Sequence, residues 1–176
     1  MNTWGLITIL FLKSHFTFDG TVMNVFDARH QPIATVETTV SPNTQGKYFY
    51  LRSVDQSHLN LATALVDPGF SKTQVHVSDA LDRPMGYLQY FASSFYIRGE
   101  IRLNDVWFNY EKDEGFFGRV TYRIFGQAGT VLAELHRSAN REWELKMLPG
   151  FEALLDPSML IFMATIRTWQ DQSPAR

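Results

Sequence analysis

Residues 156–169, Asp-Pro-Ser-Met-Leu-Ile-Phe-Met-Ala-Thr-Ile-Arg-Thr-Trp, constrain the fold more than any other stretch. Asp156 suits a helix N-cap, its carboxylate accepting from free N–H groups of the first turn. Pro157 suits the first helical position, where no N–H is needed. Leu155 and Leu160 stand at the two positions of a hydrophobic staple. From Met159 to Ala164 every residue is apolar. At about 100° per residue those side chains point in every direction, so the helix has no wet face there. A helix over about 157–169 is roughly 20 Å long, whereas a membrane span needs about 20 residues. The stretch therefore reads as a core helix buried on all sides, and the rest of the chain must surround it.

What remains reads as strands. Residues 6–12, 21–26, 33–40, 47–53, 59–66, 73–78, 85–91, 94–103, 106–110, 117–125, 131–136 and 142–147 carry β-type patterns, separated by Asp, Asn, Gly and Pro turn signals. The alternation is clearest in 94–103. Phe95, Ile97, Ile101 and Leu103 fall on one face, and Tyr96, Arg98, Glu100 and Arg102 on the other. Residues 111–115, Glu-Lys-Asp-Glu-Gly, read as a solvated charged turn. No low-complexity linker divides the 176 residues, so 1–176 is taken as a single domain. Many antiparallel strands must bury one face and manage their edges, and closure into a barrel does both. A wide barrel needs an apolar filling, which the helix supplies. The expected class is mainly β: a closed antiparallel barrel of about twelve strands around a buried C-terminal hydrophobic helix.

An internal repeat runs through these strands. Val-Phe-Asp-Ala-Arg-His-Gln-Pro-Ile-Ala at 25–34 aligns with Val-Ser-Asp-Ala-Leu-Asp-Arg-Pro-Met-Gly at 77–86. A weaker third copy is Ile-Phe-Gly-Gln-Ala-Gly-Thr-Val-Leu-Ala at 124–133. Each reads strand, Asp- or Gly-led turn, strand, at a spacing of about fifty residues, a period at which repeated units are worth seeking. A hairpin of any origin also favours Asp, Gly and Pro at its turn.

Repeated strand–turn–strand units closed by a C-terminal Asp-x-x-x-apolar helix resemble the tubby C-terminal-like superfamily. That group includes tubby-like proteins, plant LURP-one-related proteins, phospholipid scramblases and small uncharacterised bacterial proteins. The likeness covers residues 21–169, and the short chain is closest in kind to the bacterial members. It implies a barrel of about twelve strands around a central hydrophobic helix. Tubby-like members bind phosphoinositides through basic residues, but their motif is not matched here. Scramblases carry a cysteine-rich segment, and this chain has no cysteine. Neither activity carries over residue by residue.

Composition narrows the function classes. A net charge of −2 provides no global basic field to attract nucleic acid. The absence of cysteine removes disulfides, thiolate metal sites and cysteine nucleophiles, and fits a reducing compartment. The apolar run at 4–12 has no preceding Lys or Arg and no following small-residue cleavage site, so it reads as a first strand. It is also too short to span a bilayer. The expected location is cytoplasmic, with a membrane-peripheral position open. The five histidines show no ligand spacing, although His76 and His136 lie in or beside strands. His76, Ser78 and Asp79 are close in sequence, but a triad is a matter of geometry, and the repeat makes Asp79 a turn residue. No Gly-x-Ser-x-Gly elbow and no phosphate loop are present. No catalytic residue, metal or cofactor is expected.

One basic group stands out. Arg98 and Arg102 share the polar face of one strand, and Arg119 and Arg123 that of another. If those faces adjoin, four guanidiniums flanked by Tyr96 would suit phosphate or carboxylate in forked geometry. An ordinary wet face with acidic partners is the plainer alternative. The expected function is a non-enzymatic binding module for an anionic lipid headgroup, another phosphate-bearing ligand or a protein. The alternative is a hydrolase or small-molecule carrier using the barrel mouth.

Overall fold

The structure is a computed structural model of the chain, and it describes residues 9–17, 20–40, 47–55, 60–68, 72–91, 98–103, 105–148 and 156–172. Twelve strands follow in order: β1 (Ile9–Thr17), β2 (Gly20–Phe26), β3 (Pro32–Val40), β4 (Lys47–Ser53), β5 (Asn60–Pro68) and β6 (Lys72–Asp79). Then come β7 (Pro84–Phe91), β8 (Arg98–Leu103), β9 (Val106–Glu114), β10 (Val120–Phe125), β11 (Val131–Arg137) and β12 (Trp143–Met147). Helix α1 spans Pro157–Gln172. Each strand pairs antiparallel with the next, and β1 pairs with β12 to close the ring. This is the expected closed barrel, with no free sheet edge.

The geometry of closure explains the helix. Twelve strands about 4.8 Å apart and tilted roughly 40° close at a radius of about 12 Å. Wall side chains take about half of a 10 Å packing distance. The bore that remains is about 12–14 Å wide, and a helix with its side chains is about 10–12 Å across. Met159 to Ala164 and Ile166 are fully buried. Near its end the helix meets opposite walls: Trp169 lies edge-on to Phe49 of β4, and Arg167 reaches Glu114 of β9. The cap forms as expected, Asp156 Oδ1 accepting from Ser158 N at 2.8 Å. Leu155, the other half of the expected staple, lies outside the described residues.

Inside, alternate positions of the wall strands are apolar and buried, as with Leu10 and Leu12 of β1, Ala34 and Val36 of β3, and Phe49 and Leu51 of β4. Outside, the wall is largely polar and carries charges in rows. A lipid-facing barrel has the reverse pattern, an apolar outer band around a polar interior. No described helix is long and apolar enough to cross a membrane.

The hairpins β2–β3, β6–β7 and β10–β11 are alike. In each, the strand register shifts at the same place: Val25/Phe26, Val77/Ser78 and Ile124/Phe125. A five-residue turn follows, closed by Asp27 N to Gln31 O (3.0 Å), Asp79 N to Arg83 O (2.9 Å) and Gly126 N to Thr130 O (2.9 Å). The fourth turn residue has positive φ in all three: His30, Asp82 and Gly129. Such a bulged turn restores the strand twist. The turn at 138–142 has the same closing bond without a register shift, so the turn alone is common to ordinary hairpins.

Several boundaries differ from the sequence expectation. Strand β9 continues through Glu114, because Glu111, Lys112, Asp113 and Glu114 pair in register with Val120 to Arg123 of β10. The expected charged turn at 111–115 is therefore largely strand. Conversely, Phe117 is not in a strand: Phe116–Gly118 form a 3-10 turn and β10 begins at Val120. Asp67 and Pro68, expected as a turn, end β5 instead.

Candidate functional site

The strands that carry the arginines singled out in the sequence are not neighbours, and the Arg98 side chain lies outside the described residues. β9 lies between β8 and β10, so the two polar faces do not adjoin. The register places Arg98, Glu111, Arg123, Glu134 and Lys146 side by side across five strands, with charges alternating in sign. Arg123 Nε is 3.6 Å from Glu134. Such cross-strand pairs neutralise a wall rather than open it to an anion. Arg102 pairs with Asp105 and lies against the Tyr87 and Trp107 rings. Arg119 is exposed at the β9–β10 turn. Tyr96 lies outside the described residues. His76 and His136 sit on the outer faces of strands five places apart in the ring. The Asp79 carboxylate accepts from Leu81 N, Arg83 N and Arg83 Nε, which makes it a turn residue. An open groove of about 570 Å³ is lined by Glu100, Asn109, Glu111 and Gln127, among others.

Charge concentrates instead where the C-terminal turns of α1 emerge at one end of the barrel. The inward positions of β9 are Phe108, Tyr110 and then Lys112, whose side chain is 2% exposed. Lys112 contacts Glu114 at the rim. Arg137, the last residue of β11, has a side chain 8% exposed. It pairs with Asp171 of the helix, donates Nε to the Gly118 carbonyl (3.1 Å), and lies over the Trp143 ring. Arg167, four residues before Asp171, reaches Asp171 at 3.2 Å and Glu114 at 3.4 Å. The floor is aromatic. Tyr122 stacks on Trp143 with centroids 6.1 Å apart, and Trp143 Nε1 donates to Thr168 Oγ1 at 2.8 Å. From the far wall, Lys47 Nζ sits 3.5 Å over the Trp169 ring.

Among the described residues the balance of this cluster is positive. Three cations, Lys112, Arg137 and Arg167, face two carboxylates, Glu114 and Asp171, which leaves one positive charge in excess. Glu114 is more than half exposed and is the weaker counter-charge. Arg167 Nε is buried without a hydrogen-bond partner among the described residues. Burial pushes the Lys112 ammonium down to about 8, the Arg167 and Arg137 guanidiniums push it the same way, and Asp171 opposes them. Burial pushes the Tyr122 phenol up to about 12.

Sequence reasoning missed Lys112, Glu114, Arg137, Arg167 and Asp171 as a group. The signal for Lys112 was present: a period of two from Phe108 and Tyr110 carries it onto the inward face. The spacing of Arg167 and Asp171 likewise puts them on one helical face. Comparison with protein-family models, curated proteins and solved structures finds no match for this chain.

Proposed function

We propose that this chain is a non-enzymatic binding module of the tubby C-terminal-like type, and that it holds an anionic ligand at the helix end of its barrel. The twelve-strand barrel around a helix supports the likeness. The observation that carries the ligand class is the excess cation among Lys112, Arg137 and Arg167, with one buried guanidinium donor still open. An uncompensated buried charge is strongly unfavourable. A phosphate or carboxylate group would neutralise it, and a guanidinium presents donors in a matching fork. The helix that fills the bore leaves little room for a carrier cavity, so the ligand is bound at the rim. Of the residues picked out in the sequence, Arg119 lies at this end.

The test is thermal unfolding of the whole chain with inorganic phosphate or pyrophosphate, against chloride at equal ionic strength. A ligand at a hundred times its Kd adds about 2.7 kcal/mol of stability. The wild type should gain in Tm with pyrophosphate, and Arg167→Met should gain little. Equal gains in both proteins, or none in the wild type, would contradict the site.

A further inference from the structure

Phe116 and Phe117 are 88% and 89% exposed, side by side at the tip of the β9–β10 turn. Among the described residues, the other exposed large apolar side chains, Val54, Leu81 and Trp107, stand singly. Phe117 has φ 61°, in the left-handed region. That conformation is unfavourable for a bulky side chain and easy for Gly or Asn. The tip thus holds two rings in water on a backbone that would suit a smaller residue, which points to a use outside the fold. The tip is not loose from the cluster beside it. Arg137 bonds the Gly118 carbonyl with Nε and Asp171 of the helix with Nη1.

The charges around the tip indicate what it meets. Arg119, in the same turn, and Arg141, in the neighbouring β11–β12 turn, are exposed and make no ion pair among the described residues. Of the nearby acids, Glu142 is paired with Lys13 at 3.1 Å and Glu114 with Lys112 and Arg167, while the exposed Asp113 makes no ion pair among the described residues. An exposed apolar tip with two unpaired arginines beside it matches a bilayer interface, where rings enter the acyl boundary and cations meet phosphates.

We propose that the Phe116–Phe117 tip inserts into the surface of an anionic bilayer, with Arg119 and Arg141 at headgroup level. Identifying the anion of the barrel end as a lipid phosphate rests on the function proposed above, whereas the tip stands on its own exposure and charge.

The experiment is flotation of the whole chain with vesicles of phosphatidylcholine, with and without phosphatidylserine. Its variants are Phe116→Ser with Phe117→Asn, Phe116→Ser alone, and Arg167→Met. The wild type should float with the phosphatidylserine vesicles and much less with phosphatidylcholine alone. The double variant should lose at least about tenfold in partitioning, and Phe116→Ser alone a smaller part of that loss. Both should keep the wild-type response of Tm to pyrophosphate, which shows that they fold and separates the tip from the anion site. Arg167→Met should lose that response yet still float through its intact tip. A wild type that floats with neither vesicle or with both equally, or a double variant that floats as the wild type does, would overturn the proposal.

Discussion

Lys112 shows how far a residue's surroundings can depart from its sequence neighbours. Set among Glu111, Asp113 and Glu114, it reads as solvated, yet strand parity turns it into the barrel end. Its folded pKa of about 8 lies below the 10.5 of an unperturbed lysine. Between those values the unfolded chain holds a proton that the folded chain has released, so stability must rise with pH across that window. Denaturant midpoints measured from pH 7 to 9.5 should therefore climb in the wild type relative to Lys112→Met. Parallel profiles would place Lys112 in solvent. Tyr122 acts with the opposite sign. Its phenol titrates near 12 when folded and near 10 when unfolded, so stability falls above pH 10. Gly99 poses a steric test. A Cβ there would lie 2.0 Å from the ring of Tyr110, which is itself fully buried. Gly99→Ala should cost about 1–3 kcal/mol by overpacking, read as a lower urea midpoint, and an unchanged midpoint would mean that the ring has room to move.

Elements are legible where local chemistry decides them. The helix is marked by Asp156, Pro157 and six consecutive apolar residues, although it runs on to Gln172. Most strands are marked by turn residues between them. The errors fall where charge competes with parity. Four charged residues hide the end of β9, and two phenylalanines look like strand although they form an exposed turn. The two arginine-bearing strands are kept apart for a different reason. Which faces adjoin depends on β9 lying between β8 and β10, and no local pattern carries that information. At this scale the Asp79 turn is testable. The side-chain hydrogen bond from Arg83, then backbone donors, hold its carboxylate below the usual range against the opposing effect of burial. A depressed carboxylate contributes stability above its unfolded pKa and loses it as pH falls through the folded value. Asp79→Asn should therefore flatten the acid limb of the stability profile. An acid limb identical to that of the wild type would show that the turn does not depend on the charge.

At the scale of the whole molecule, barrel and helix explain each other. Twelve strands leave a bore that wall side chains do not fill, and a helix with no polar face needs surroundings on every side. The three alike hairpins lie four strands apart, a third of the ring each. The helix also builds the candidate site, since its last turns bring Arg167 and Asp171 between β9 and β11. The stability of the barrel and the candidate site therefore rest on one element. The most direct measurement is urea denaturation of Phe162→Ala beside Gln170→Ala, a partly exposed position on the same helix. A central helix predicts a loss of about 3–5 kcal/mol for Phe162→Ala through lost burial and a cavity, out of about 5–15 kcal/mol for a typical domain, and little change for Gln170→Ala. An unchanged midpoint for Phe162→Ala would contradict a helix at the centre of the barrel.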